Sequence, residues 1–245
     1  MRFKKYSIVV FLGLIFVIIL FGIYQFNDRE VSPTNQWVVA NNDLVINETS
    51  DLLEVNRVYA LQSEYQNTDI KGIISIENED RFVYPVAQTS DNDYYLNHTY
   101  NETYDSLGAI YADYRINLDT SDKVLIYGHS STKREVPFNK LEEYYDEEYY
   151  QNHKYITLET ETDVYKYEIF SVYVETFDFT YMNIMFDTKN DWYRHILGLQ
   201  NKSMYDTNVK LSSDDDILIL QTCSNNPKYQ KYSKKYLLIV SRRVK

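Results

Sequence analysis

The chain has 245 residues, enough for one large domain or two small ones. It is 44% hydrophobic and 25% charged with only 6 Gly and 4 Pro, a composition that excludes a disordered or fibrous protein. Its 25 Lys and Arg against 36 Asp and Glu give a net charge of −11, which argues against a nucleic-acid partner because phosphate binding needs clustered cations.

The N-terminal region predicts a membrane anchor. Residues 6–24 carry no charged side chain, and this length is enough to cross the hydrocarbon core as a helix. Arg2, Lys4 and Lys5 precede the segment, so residues 1–5 should stay in the cytoplasm and the rest of the chain should lie outside. A cleaved signal peptide is the alternative, but the apolar run is longer than a usual signal core and no small-x-small cleavage site follows it.

Residues 25–48 are polar and Asn-rich without periodicity, which predicts an extracellular stalk. A folded domain over 49–245 follows. It should open with a helix from about residue 50 to 66 that buries Leu52, Val55 and Tyr59. Strands are predicted at 72–77 and 81–88, and Pro85 within the second strand indicates an edge or a bulge.

The remaining elements follow in order along the chain. A loop with one helical turn is predicted at 90–107, and strands at 108–115 and 123–128 follow it. A charged helix is predicted at 138–153, then a hairpin of strands 155–159 and 164–175, and a helix at 189–201 that buries Trp192, Ile196 and Leu199. The last strands are an apolar run at 217–220 leading to Cys223, and 236–243. Seven or eight short strands with few, dispersed helices predict a mostly β fold, a closed or nearly closed barrel.

The helix at 138–153 is rich in Asp and Glu, which raises the question of a metal site. Its one histidine, His153, ends the helix, where a cation complements the helix dipole, and no second acidic cluster converges on it in sequence. A solvated charged face is therefore the better interpretation. We expect no metal and no cofactor.

The only cysteine, Cys223, stands where a buried strand gives way to a Ser-Asn-Asn-Pro turn. Outside the cell cysteines usually occur in disulfide pairs, and a lone one has no intramolecular partner. It is either a small buried hydrophobe or a placed nucleophile. A strand end that opens into a loop is a suitable position for a reactive atom.

A thiol nucleophile needs a base or a lowered pKa. Of the 4 histidines, His129 is the one that ends a strand as Cys223 does, so the two could meet at one rim of a barrel. Gly128 before it would let the backbone turn or approach a neighbour closely. The alternative is a core cysteine and an unrelated surface histidine.

Several motifs together resemble the sortase transpeptidases, in particular class B. They are "LxTC" ending at Cys223, "YGH" ending at His129, "DYYLNH" at 93–98, "ADYR" at 112–115, the run 203–223 with the helix before it, and a short hydrophobic final strand. The similarity covers about residues 50–245, behind an anchor and stalk in the expected order. Each dipeptide alone is worthless, but the set is specific.

The resemblance implies a sortase-type barrel on a membrane anchor, facing the cell wall of a Gram-positive bacterium. Cys223 would attack the Thr carbonyl of a C-terminal sorting signal of the Asn-Pro-x-Thr kind in a secreted protein. The acyl group would pass to an amine of a peptidoglycan precursor or another acceptor, with His129 as general acid and base. Leu96, Tyr181 and Thr222 would line the substrate cleft.

The sequence departs from the family at one position. Sortases carry an arginine at the start of the final strand, and here that position is Tyr236. Lys235 is adjacent but would point to the other face of a regular strand. The candidates for stabilising substrate and oxyanion are therefore Tyr236, Lys235 and the late arginine Arg242.

Two alternatives remain beside the transpeptidase. A cell-wall or papain-like cysteine peptidase would place Cys before His in the chain, whereas here His129 precedes Cys223. A catalytically weak or inactive sortase-like binding or assembly module stays open because of the missing arginine.

Overall fold

The computed structural model describes residues 56–245. The predicted cytoplasmic segment, anchor and stalk lie outside this range, as do Leu52 and Val55 of the first predicted helix. In residues 56–245 no helix is both long enough and apolar enough to span a bilayer.

Eight strands close into a barrel in the spatial order β1-β2-β3-β4-β7-β8-β6-β5, which confirms the predicted closed architecture. The strands are β1 Ile70–Ile76, β2 Val83–Ala87, β3 Tyr111–Ala112, β4 Lys123–Tyr127, β5 Tyr155–Thr160, β6 Val164–Glu175, β7 Ile217–Cys223 and β8 Tyr236–Arg243. The α-helices are α1 Arg57–Tyr65, α2 Glu147–Asn152 and α3 Lys189–Asn201, and 3₁₀ helices span Pro137–Tyr145, Phe179–Met182 and Pro227–Tyr229.

Strand β7 lies between β4, to which it runs parallel, and β8, to which it runs antiparallel. Its residues Ile217 to Leu220 are all fully buried, as predicted for an apolar run covered on both faces. One face packs into the barrel, where Leu218 and Leu220 join the main hydrophobic cluster. The other face lies outside the barrel interior.

The first helix differs from its prediction. Within the described range α1 begins at Arg57, and the Asn56 side chain accepts a hydrogen bond from the Val58 amide as its N-cap. Val58 and Leu61 are buried, but Tyr59 is 51% exposed, so the predicted stripe was wrong at that residue. The helix is capped by Gln66 in the left-handed conformation (φ 52°).

The predicted helix at 138–153 is two helices. Asp146 adopts an extended backbone (φ −93°, ψ 120°), which ends the 3₁₀ helix, and its carboxylate caps α2 by accepting from the Glu148 amide. In the described part of the chain no group of three or more His, Cys, Asp or Glu side chains is arranged to hold a metal ion.

Strand β3 is much shorter than the predicted 108–115. Gly108 turns the chain with a φ of +50°, and a Cβ there would lie 2.2 Å from the Tyr95 carbonyl oxygen. After Ala112 the Asp113 carboxylate accepts from the Arg115 amide and turns the chain away from the sheet. The loop at 90–107 was predicted correctly, but it contains turns rather than a helical turn.

The other elements were predicted well. The β5–β6 hairpin, helix α3 and the final strand all occur, and Trp192, Ile196 and Leu199 are the buried residues of α3. Pro85 lies in β2 opposite Ile73 of β1, while β2 pairs with β3 only at Ala87. The proline therefore occupies a nearly open edge, as expected for a residue that cannot donate to a ladder.

Candidate active site

The parallel register of β4 and β7 brings His129 and Cys223 to the same rim. Tyr127 is level with Gln221, and the ladder continues beyond the strand because the Gly128 amide donates to the Gln221 carbonyl at 3.1 Å. His129 and Cys223 each follow that level by two residues. Since neighbouring strands lie about 4.8 Å apart, the two strand ends are adjacent.

Gly128 allows a close approach beneath this rim. A Cβ at this position would lie 2.6 Å from the Phe138 ring, which is too close for any real Cβ atom. The glycine thus lets the 3₁₀ helix Pro137–Tyr145 pack directly under the end of β4.

Cys223 is exposed and forms no disulfide. Although the residue reaches solvent, partial burial of its sulfur raises the pKa of the thiol, and the nearby Lys235 ammonium offsets part of this shift. The thiol is therefore protonated at rest at neutral pH, and an attack on a carbonyl needs a base to take its proton. This arrangement favours the nucleophile over the core cysteine of the alternative interpretation.

The Nε2 atom of His129 lies 2.9 Å from the carbonyl oxygen of Leu96. A carbonyl oxygen only accepts, so Nε2 carries a proton in this contact. The bond ties the imidazole to the loop at 90–107 and fixes its ring orientation. Leu96 itself is 40% exposed, which suits a residue at the edge of a cleft.

A polar network that the sequence analysis missed holds the Cys223 strand end. The Ser130 hydroxyl donates to the Cys223 carbonyl, and the Asn225 side-chain amide donates to the Ser130 hydroxyl at 3.0 Å. The Asn225 backbone amide donates to Glu142. Polar residues after both strand ends were the available signal, but only the fold shows that they meet.

Tyr236 is directly opposite Cys223 in the antiparallel β7–β8 pair. Side chains of residues directly opposite each other lie on the same face of a sheet, so the Tyr236 ring stands beside the thiol. Its pKa is raised by burial and further by the neighbouring Cys223. The Phe179 ring packs edge-on against it with 5.9 Å between centroids.

The two cationic candidates are placed very differently. Lys235 precedes the first residue of β8, so the alternation of a regular strand does not direct its side chain, and its charge reaches the Cys223 thiol. Arg242 is opposite Ile217, at the far end of β7, and forms an ion pair with Glu168 at 2.6 Å. The prediction of Arg242 as a candidate for stabilising substrate and oxyanion was wrong, because strand β8 carries it to the far end of β7, away from that rim.

Two of the residues predicted to line the cleft, Tyr181 and Thr222, lie in different surroundings. Tyr181 is fully buried and donates to the Gln221 side chain at 2.7 Å, so it supports the wall beside the thiol rather than forming its open surface. Thr222 is 1% exposed and alternates to the face opposite Cys223, towards its partner Leu237 in the barrel core. The prediction that Thr222 lines the cleft was wrong for this reason.

A buried carboxylate supports the rim from below. Asp113 accepts from the Tyr127 hydroxyl at 2.7 Å and from two guanidinium nitrogens of Arg115 at 2.8 and 2.7 Å. Burial would raise the pKa of Asp113, but these hydrogen bonds outweigh it and lower the pKa to about 2. Arg115 also donates to the Met182 carbonyl, which connects the Asp113 cluster to the segment that carries Tyr181.

Comparisons with known proteins agree on one family. The family model for the sortase domain matches residues 74–243. Sortase B of Listeria monocytogenes is 29% identical over 231 residues, which cover 90% of this chain and 93% of that protein. A Staphylococcus aureus sortase B–substrate complex superposes with a TM-score of 0.68 at 26% identity, covering 77% of this chain and 85% of that one. A sortase B complexed with triglycine also gives a TM-score of 0.68 at 26% identity, covering 78% and 88%.

Proposed function

Since this chain belongs to the sortase family and is a cysteine transpeptidase, we propose that it cleaves a C-terminal sorting signal of the Asn-Pro-x-Thr kind after Thr. The acyl group then passes from Cys223 to an amine acceptor. The observation that carries the proposal is the shared rim of β4 and β7, where His129 and Cys223 follow paired strand ends at the same level.

The first half-reaction forms a thioester. The sulfur of Cys223 attacks the Thr carbonyl carbon while His129 takes the thiol proton, which a thiol with a raised pKa does not release by itself. The tetrahedral intermediate then collapses, the C–N bond breaks, and His129 delivers the proton to the leaving amine. The products are a Cys223 thioacyl enzyme and the released C-terminal segment.

The second half-reaction reverses these roles. An acceptor amine attacks the thioester carbon, His129 takes a proton from the amine, and the C–S bond breaks. His129 then returns that proton to the departing Cys223 thiolate, and the new amide is released. The substrate complex and the triglycine complex of related sortase B proteins support a peptide substrate and an amine acceptor for this chain.

The developing oxyanion needs donors. The Ser224 amide, next to the nucleophile, is already bonded to the Lys235 carbonyl at 2.9 Å. The Tyr236 hydroxyl stands on the same sheet face as the thiol. The Lys235 ammonium is close enough to lower the pKa of the Cys223 thiol. We assign the stabilising role to this pair in place of the family arginine. A lysine is a point charge rather than a fork, so we expect slower catalysis than with an arginine.

We further propose an extracellular location. Residues 6–24 would anchor the chain in the membrane with residues 1–5 in the cytoplasm, and residues 25–48 would raise the 49–245 domain towards the cell wall of a Gram-positive bacterium. The substrates would be secreted proteins that carry the sorting signal. The acceptor would be a peptidoglycan precursor or another wall amine, without a cofactor.

The test uses the full-length chain in detergent. Quenched fluorescent peptides with an Asn-Pro-x-Thr library are incubated with and without triglycine or a diamino acid, beside Cys223→Ala. We expect cleavage that the variant loses and a ligated product in the mass spectrum. Hydrolysis that no amine diverts would indicate a cysteine peptidase instead.

The absence of a guanidinium at position 236 favours one other candidate, a sortase-like binding or assembly module. That function predicts a folded domain that cleaves none of the peptides. It also predicts that Cys223 fails to react with a peptide vinyl sulfone or a methanethiosulfonate.

A further inference from the structure

The loop between β7 and β8 is strongly basic in an acidic protein. Residues 224–235 contain Lys228, Lys231, Lys234 and Lys235 and no Asp or Glu, whereas the chain as a whole has a net charge of −11. We call this segment the lysine loop. It directly joins Cys223 to Tyr236, the two residues that face each other at the rim.

The lysines of this loop have no carboxylate partners among residues 56–245. Of the ten other lysines in that range, five lie within 4.0 Å of an acidic side chain: Lys71, Lys140, Lys166, Lys189 and Lys202. In the lysine loop the contacts are with rings instead, at 5.5 Å for Lys228 over Tyr229, 5.1 Å for Lys231 over Tyr232 and 5.4 Å for Lys234 over Phe179. Rings hold these ammonium groups without neutralising them.

The base of the loop is fixed while its tip is exposed. Ser224 is hydrogen-bonded to the Tyr145 hydroxyl at 2.6 Å, and Asn225 is hydrogen-bonded to Glu142 and Ser130. Lys228 and Lys231 are exposed to solvent. The loop therefore presents unpaired positive charge at a defined place beside the thiol.

Like charges within one Debye length, about 10 Å at 0.1 M salt, repel each other. An anion bound to the loop would relieve that repulsion, and a positive patch steers anions and raises their association rate. The named residues of an Asn-Pro-x-Thr signal are uncharged and make no use of such a patch. A molecule that must reach the thioester from bulk solvent does benefit from steering.

We propose that the lysine loop binds the amine acceptor through anionic groups on that acceptor, phosphate or carboxylate. This inference rests on the proposed function because it concerns the second half-reaction. The amine attacks the Cys223 thioester while the anionic groups of the same molecule contact Lys228 and Lys231. The first half-reaction does not involve these two lysines.

The test compares two double variants with equal change of charge. Lys228→Gln/Lys231→Gln alters the loop, and Lys154→Gln/Lys210→Gln is the control. Lys154 and Lys210 also lack ion-pair partners in the described structure. Lys154 lies just before β5, across the barrel from β7, and Lys210 lies in the segment that leads to the far end of β7. The acceptors share one amine: triglycine amide, triglycine extended by two Glu, and triglycine extended by phosphoserine.

With the full-length enzyme and saturating sorting peptide, we expect kcat/KM for the anionic acceptors to exceed that for the neutral one about tenfold at low salt. The loop variant should lose about fivefold on the anionic acceptors only, and 0.5 M NaCl should erase the difference. The two extended acceptors show whether phosphate or carboxylate is preferred. The control variant should match the wild type.

Equal rates for all three acceptors in the wild type would overturn the proposal, as would an equal loss on the neutral acceptor in the loop variant. Peptide cleavage without any acceptor reports on the proposed function alone. If cleavage is absent, fluorescence anisotropy of a labelled phosphoserine acceptor on the Cys223→Ala protein still tests the lysine loop. Binding there that is unchanged by Lys228→Gln/Lys231→Gln would refute it.

Discussion

Strand β7 has a histidine and a lysine from neighbouring elements near each of its two ends, in opposite environments. At one end His129 follows β4 at the level of Cys223, and the Lys235 ammonium acts on the exposed Cys223 thiol. At the other end Lys123, opposite Ile217 of β7, is 2% exposed and its Nζ contacts His195 Nε2 and the Asn183 carbonyl, each at 2.8 Å. A histidine and a lysine thus occur at both ends.

The difference shows that residue type alone does not identify a reactive site. At the far end both groups are buried against each other, and burial lowers the pKa of Lys123 to about 7 and that of His195 to about 3. The single cysteine of the chain lies at the opposite end of β7. At the Cys223 end the thiol is exposed, so a substrate can approach it.

The largest expected effect on the rate of peptide cleavage comes from comparing two single variants, His129→Gln and His195→Gln. His129→Gln should lower kcat/KM for peptide cleavage about 10³-fold, because no general acid and base would remain at the thiol. His195→Gln keeps an acceptor for Lys123 and should leave kcat/KM within about twofold, since it lies at the other end of the strand pair. Initial rates of cleavage of a quenched fluorescent peptide by both variants measure kcat/KM. Equal losses would remove the distinction between the two ends.

A second prediction concerns stability at the far end. Lys123→Met should raise the free energy of unfolding by about 2 kcal/mol at pH 6, because a buried ammonium without a carboxylate partner is replaced by an apolar side chain. The native Lys123 pKa is lowered from 10.5 to about 7, so between these values the unfolded chain binds more protons and wild-type stability rises with pH. The gain from the substitution should therefore shrink towards pH 10.5. Urea titrations at pH 6 and 10 measure it, and a gain independent of pH would contradict the explanation.

A third prediction concerns Tyr236, at the Cys223 end of β7. Tyr236→Phe should lower kcat/KM about tenfold without changing the melting temperature, because it removes a hydroxyl donor but keeps the ring against Phe179. Tyr167→Phe removes a hydroxyl opposite Arg243, at the far end, and should leave the rate unchanged. Tyr236→Arg should at least match the wild-type rate. A Tyr236→Phe enzyme with full activity would exclude the hydroxyl from the mechanism.

The smallest expected effect concerns the charge beside the thiol. Lys235 lowers the pKa of Cys223 against the effect of burial, so Lys235→Gln should move the pH midpoint of iodoacetamide alkylation upwards. The alkylation rate at pH 8 should fall about twofold, since a partly exposed charge is screened. Lys228→Gln serves as the control and should not shift the midpoint. An unchanged midpoint in Lys235→Gln would show that its ammonium does not act on the sulfur.

The fold was largely predictable because its strands are marked by buried apolar runs. The Cys223 strand, the β5–β6 hairpin and helix α3 follow directly from periodicity and turn residues. Tyr59 was misplaced because the buried stripe of α1 runs through Val58 and Leu61, which turns Tyr59 towards solvent. The break at Asp146 was missed because a capping aspartate resembles any other acidic residue in a charged segment.

The sequence predicted which two strand ends carry the site residues, but not how these ends are placed relative to each other. Two strands that each end in a chemically competent residue suggested the rim, but only the parallel register of β4 and β7 brings His129 and Cys223 level. Thr222 and Arg242 were wrongly included because sequence proximity to the thiol, or charge alone, does not give the face or the end of a strand. The Ser130–Asn225 contact joins two loops far apart in sequence, which no local pattern reveals.

In the proposed mechanism Cys223 forms the acyl intermediate with the help of His129. Intact-mass spectrometry with peptide mapping, after mixing the enzyme with an Asn-Pro-x-Thr peptide and quenching in acid, tests it most directly. We predict an adduct of the acyl fragment ending in Thr on Cys223, which disappears when triglycine is added and accumulates far more slowly in His129→Gln. Peptide turnover that persists in Cys223→Ala, or an adduct on any other residue, would contradict the account.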